Sequence, residues 1–97
     1  MTEKAFMQVV LDAARLLGWR CYHPFDSRRS APGFPDICCV KPGRLIFIET
    51  KGSKGRVSPD QEAWIETLAT VPGVTALIAW PDQWDEIEQA LRDEEAA

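Results

Sequence analysis

Apolar residues at the start of the chain recur at helical spacing. Phe6, Val9, Val10, Ala13, Leu16 and Leu17 define one stripe, and Gly18 follows where a left-handed cap ends a helix. A helix over Glu3 to Leu17 is predicted. "WRCYH" (Trp19 to His23) then reads as a short aromatic-rich strand stopped by Pro24, and Pro24 to Phe34 as a loop rich in Pro, Ser, Gly and Arg. "DICCV" and "LIFIETK" are β-prone runs joined by Lys41-Pro42-Gly43-Arg44, which predicts a hairpin. Gly52 to Val57 reads as a basic, flexible loop. Ser58-Pro59-Asp60-Gln61 opens a second helix with an N-cap, a first-turn proline and the glutamine of a capping box. Trp64, Ile65 and Leu68 are its apolar stripe, and Pro72-Gly73 ends it. "VTALIAW" (Val74 to Trp80) predicts another strand, and Pro81 opens a final helix with Trp84, Ile87 and Leu91 on one face. The predicted order is α-β-β-β-α-β-α, an α/β fold.

At 97 residues and 45% hydrophobic, the chain can bury a core of its own, so residues 1–97 are expected to form one domain, with the acidic tail 92–97 frayed. No stretch approaches the roughly 18 to 20 apolar residues of a membrane span, and no basic segment precedes an apolar cleavable run. A soluble, cytoplasmic protein is expected. Cys21, Cys38 and Cys39 lack zinc or redox spacing and read as reduced, buried small hydrophobes.

The net charge of −4 argues against a nucleic-acid partner until it is sorted by position. From Arg20 to Arg56 there are eight basic residues against three acids, and the rest of the chain is strongly acidic. This distribution permits a polyanionic partner without requiring one.

The hairpin carries the sharper signal. Centred on Pro42-Gly43, it sets Val40 against Leu45, Cys38 against Phe47, and Asp36 against Glu49. Alternation puts Asp36, Cys38, Val40, Leu45, Phe47, Glu49 and Lys51 on one face and Ile37, Cys39, Ile46 and Ile48 on the other. Both faces are apolar, so both are expected to be covered. Opposed like charges destabilise a strand pair, and burial raises the cost. A hard divalent cation, Mg²⁺ or Mn²⁺, would remove the conflict. A salt bridge from Lys51 alone would leave one carboxylate uncompensated.

Asp36 after Pro35, a spacer, then Glu49-Thr50-Lys51, resembles the PD-(D/E)XK nuclease signature. "PD" occurs three times, but only Pro35-Asp36 precedes a strand that pairs with the E-x-K strand. More specifically, "SRRSAPGFPDICCV" and "GRLIFIETKGSKGRVSPDQEAW", with the preceding helix, resemble a stand-alone VRR-NUC domain of the phage and bacterial type, over roughly Thr2 to Leu91. That resemblance implies a restriction-endonuclease-like core with a central mixed sheet flanked by helices. It implies Asp36, Glu49 and the main-chain carbonyl of Thr50 as ligands to Mg²⁺ or Mn²⁺, Lys51 as the catalytic lysine, and Gln61 and Glu3 as further site residues, Glu3 reaching the metal through water. A bacterial or phage-infected cell, branched, junction or flap DNA as substrate, products with a 5′-phosphate and 3′-hydroxyl, and a homodimer akin to Holliday-junction resolvases are implied too. A helicase partner is left open. The rival reading is a catalytically silent nucleic-acid-binding or assembly module on the same fold.

Two of these residues also have local explanations. At about 100° per residue, Glu3 lies within about 20° of Val10 on the core-facing stripe, yet a first-turn acid also suits the helix dipole. Gln61 is accounted for by the capping box, by catalysis, or by both. Arg28, Arg29 and Ser30, with Lys54 and Arg56, sit in the two loops flanking the hairpin and are expected to contact phosphates. His23 reads as structural or near DNA, and Trp19, Trp64, Trp80 and Trp84 as packing residues.

Overall fold

The computed structural model describes residues 1–24 and 31–92. The elements are α1 (Glu3–Leu16), β1 (Arg20–Tyr22), β2 (Ile37–Lys41), β3 (Arg44–Thr50), α2 (Pro59–Ala69), β4 (Val74–Ala79), a single 3₁₀ turn (Pro81–Gln83) and α3 (Trp84–Arg92). The sheet order is β1-β2-β3-β4, antiparallel except for the parallel β3–β4 pair. α2 is the crossover between those two strands, the connection that a parallel pair requires. This is an α/β fold with a mixed sheet flanked by helices, consistent with a restriction-endonuclease-like core.

The hairpin has the register that its turn predicts: Val40 pairs with Leu45, Cys38 with Phe47, and Ile37 with Ile48. Its inward face is the core. Ile37, Cys39, Ile46 and Ile48 pack with Phe6, Val10, Leu11 and Ala14 of α1, Trp19, Ala79, and Ile87 and Leu91 of α3. The other face is covered only in part. Phe47 meets Phe34 edge to face, and Phe34 meets Trp64 of α2 in the same way, while Val40 is 42% exposed. The expectation that both faces are covered therefore fails at the β1–β2 end, because α2 packs on β4 and β3.

Three further expectations are corrected. The buried stripe of α1 is Phe6, Val10, Leu11 and Ala14, whereas Val9 is 38% and Leu16 87% exposed. Apolar residues occupy two sides of this helix, and the sheet selects one. Pro81 opens the 3₁₀ turn, so α3 begins at Trp84. The Gly52–Val57 loop is tied down: Gly55 N donates to Gly52 O at 2.9 Å, Ser53 N to Met1 O at 3.0 Å, and Trp80 Nε1 to Gly55 O at 3.3 Å.

The tryptophans pack as expected. Trp19 is buried and donates Nε1 to Leu91 O at 2.9 Å, with Lys41 Nζ at 4.7 Å and the Arg44 guanidinium at 4.8 Å from its ring. Lys41 and Arg44 are thus held at the hairpin tip, at the end of the sheet away from Glu49. The basic run between Arg20 and Arg56 is therefore not one patch. The cysteines are free thiols, Cys39 buried and Cys21 and Cys38 half-buried, with Cys21 and Cys39 Sγ 3.4 Å apart. No helix among the described residues is long and apolar enough to cross a membrane.

Candidate active site

The strand ladder of the hairpin ends at Ile37 and Ile48, one residue short of Asp36 and Glu49. Beyond that point side chains replace backbone rungs. Thr50 N donates to Asp36 Oδ2 at 3.1 Å, and Thr50 Oγ1 donates to the same oxygen at 2.9 Å. On the other side of β3, Lys51 N donates to Ala79 O at 2.9 Å, so the end of the strand is held on both flanks.

Asp36 is placed by the loop before it. Phe34 N bonds Ala31 O at 3.1 Å, and Trp64 Nε1 bonds Pro32 O at 3.1 Å. Gly33 adopts φ +83°, and a Cβ there would lie 2.5 Å from the Asp60 carbonyl carbon. Only glycine lets this loop seat on the first turn of α2.

Glu49, Thr50 and Lys51 are 2%, 0% and 5% exposed. An acid and a base this deep need partners, and Gln61 supplies several. Its Oε1 accepts from Lys51 Nζ at 2.7 Å and from Ser58 N at 2.9 Å, while its Nε2 donates to Glu49 Oε2 at 2.9 Å. Ser58 Oγ accepts from Gln61 N at 3.2 Å, which completes the capping box of α2. Capping and site contact are therefore both true of Gln61. Lys51 Nζ also lies 3.7 Å from Glu49 Oε2. The other oxygen, Glu49 Oε1, is buried with no partner among the described residues.

The third carboxylate comes from α1. Thr2 caps that helix by accepting from Ala5 N, and Glu3 follows in its first turn. One ligand oxygen each from Glu3, Asp36 and Glu49 lie within 4.8 Å of one another. The helix wheel located Glu3, since its face is the one that carries Val10. Gly52 permits the approach: a Cβ there would fall 2.8 Å from Glu3 N.

The electrostatics follow from this crowding. Burial, then the Asp36 charge, pushes the Glu49 carboxyl up to about 8, against the pull of Lys51. Burial and Asp36 raise Glu3 as well, again opposed by Lys51. Three converging carboxylates, one of which carries an oxygen that is buried and without a partner among the described residues, suit a hard divalent cation. A lone lysine does not satisfy them.

The carboxylates open into a cavity of about 250 Å³ lined by Glu3, Pro24, Pro32, Phe34, Asp36, Glu49 and Gln61 among others. A neighbouring depression of about 450 Å³ shares Glu3 and is lined by Gly52, Ser53, Lys54 and Gly55. Lys54 and Arg56 are exposed on the loop between β3 and α2. Arg28, Arg29 and Ser30 lie outside the described residues. Sequence reasoning did not find the Thr50 hydroxyl, because a threonine inside a strand is ordinarily a packing residue.

No curated protein matches this chain. The profile of the VRR-NUC domain matches residues 8–92, nearly the whole chain and every site residue named above except Glu3. With a matching order of elements and the E-x-K strand facing Asp36, the chain belongs to the VRR-NUC family, a nuclease-type domain of the PD-(D/E)XK superfamily.

Proposed function

We propose that this protein is a divalent-metal-dependent endonuclease that hydrolyses phosphodiesters in branched DNA. The observation that carries the reading is the Glu3, Asp36 and Glu49 cluster within 4.8 Å, with Glu49 Oε1 buried and without a partner among the described residues and Lys51 beside Oε2. Asp36 and Glu49 would hold Mg²⁺ or Mn²⁺, with the Thr50 carbonyl as a further ligand and Glu3 contributing directly or through water. When bound, the ion would supply Lewis-acid activation of the phosphate and of the attacking water.

The chain's own groups do the rest. Lys51 is held by Gln61 and Glu49 so that its charge sits beside the carboxylates, where it can offset charge growing on the phosphoryl oxygens. Gln61 keeps Lys51 and Glu49 apart yet hydrogen-bonded. Lys54 and Arg56 engage flanking phosphates, as Arg28, Arg29 and Ser30 would from the other loop, which gives affinity without base reading.

Among the described residues one chain carries one such cluster, so paired cuts on a junction need two copies. A homodimer follows from that count, and the exposed Leu16 and Tyr22 are apolar groups that a second copy could cover. The site of action is the cytoplasm of a bacterial or phage-infected cell.

The test incubates purified protein with four-way junction, flap and linear duplex DNA in Mn²⁺, Mg²⁺ or EDTA. Cutting in metal, faster on branched DNA and absent in EDTA, is expected. Binding without cutting in either metal would leave a silent DNA-binding module instead.

A further inference from the structure

We infer that the Thr50 hydroxyl is a positioning group that sets the metal-facing oxygen of Asp36, an inference that rests on reading the three carboxylates as a cation site. Asp36 lies outside the strand ladder, whose last rung is Ile37 with Ile48, so no backbone pairing fixes it against β3. Its link to β3 is its own carboxylate. Among the described residues, both hydrogen bonds to that carboxylate come from Thr50: the amide at 3.1 Å and the hydroxyl at 2.9 Å.

Both bonds fall on Oδ2, and neither occupies Oδ1. A single donor leaves a carboxylate free to turn about that contact, whereas two donors arriving from different atoms fix its plane. Among the described residues no donor reaches Oδ1, which leaves it for the cation that Glu3 and Glu49 would share. Glu49 is handled in the same way, with Gln61 Nε2 on Oε2 and Oε1 left open. Among the described residues, each carboxylate of the hairpin thus has one oxygen held by a protein donor and one to which no donor is directed. Thr50 is 0% exposed, so its hydroxyl has no water to turn to and the donation to Asp36 is its satisfied state. The residue between the glutamate and the lysine of the E-x-K strand therefore acts on the metal through Asp36.

Thr50→Ser and Thr50→Ala both lose the methyl group, so the difference between them reports the hydroxyl alone. Mn²⁺ binding, measured by calorimetry or by loss of the free-ion electron paramagnetic resonance signal, is expected to match wild type in Thr50→Ser and to be about tenfold weaker in Thr50→Ala, the size of effect found for groups that orient metal ligands. Melting in EDTA is expected to be lower for Thr50→Ala than for Thr50→Ser, by the loss of one hydrogen bond to a carboxylate, and saturating Mn²⁺ should restore the cleavage rate of Thr50→Ala. If the alanine variant does not fold, Thr50→Val takes its place with the same expectation. Equal Mn²⁺ affinity in the serine and alanine variants, beside a wild-type protein that binds, would overturn the role of the hydroxyl alone. A wild-type protein that binds no Mn²⁺ would overturn the cation site, and this inference with it.

Discussion

The Gln61 side-chain amide donates to Glu49 Oε2 at 2.9 Å, and its oxygen is at the same time the capping acceptor for Ser58 N. One side chain thereby starts a helix and orients a site carboxylate. The two duties can be separated. Ser58→Ala removes the cap hydroxyl and should cost about 1 kcal/mol of stability with cleavage retained. Gln61→Glu keeps an acceptor for Ser58 and Lys51 but presents a carboxylate to Glu49, and should lower cleavage by about 10- to 100-fold. Thermal melts and single-turnover rates on the same substrate check the split.

The Glu49 carboxyl, pushed up to about 8 by burial and Asp36, makes stability depend on pH. In the folded metal-free protein it keeps its proton at pH values where the unfolded chain, at the ordinary 4.5, has lost it. The folded state then binds more protons, so stability contributed by this group is full at the acid end, falls as pH rises from about 4.5 to about 8, and is lost above that. Mn²⁺ must displace that proton, so its apparent affinity should rise over the same window and level off above it. Melts in EDTA and Mn²⁺ titrations across this range test both slopes, and Glu49→Gln should flatten them.

Asp36→Asn should trade function for stability. The asparagine oxygen can still accept from Thr50, its amide can donate to Glu49, and the charge that opposes Glu49 is gone. Satisfying a buried orphan acceptor is worth about 1 to 3 kcal/mol, so the metal-free protein should melt higher. Mn²⁺ binding and cleavage should be lost while DNA binding persists, as a gel-shift assay in EDTA would show.

Gly52 holds Glu3 in place by being small. A Cβ at Gly52 would lie 2.8 Å from Glu3 N and push the first turn of α1 off the site. Gly52→Ala should therefore weaken Mn²⁺ binding about as much as Glu3→Gln, and the double variant should be no weaker than either. Additive losses in that cycle would mean that Gly52 acts elsewhere.

Much of this was readable from the residues because the hairpin encodes its own geometry. Pro42-Gly43 fixes the register and alternation fixes the faces, which brings Asp36 and Glu49 to the end of the ladder, just past Ile37 and Ile48, without tertiary information. Ser58 and Gln61 announced their helix for the same local reason. What failed was non-local. Val9 and Leu16 are as apolar as Leu11, and nothing within α1 says which side the sheet will cover. The ordering of the Gly52–Val57 loop depends on Trp80, which is distant in sequence. The role of the Thr50 hydroxyl was not legible because its bond to Asp36 forms only where the ladder gives out.

The tie between hairpin register and site has a consequence for mutational tolerance. Strand side chains alternate, so a slip of β2 against β3 by a single residue would carry Asp36 away from Thr50 and Glu49 and cost the core the facing of Ile37 and Ile48 at the same stroke. The residues that exclude water from the interior therefore also proofread the active centre. Errors in the pairing of this protein would be eliminated as misfolded chains before they could persist as inactive enzymes.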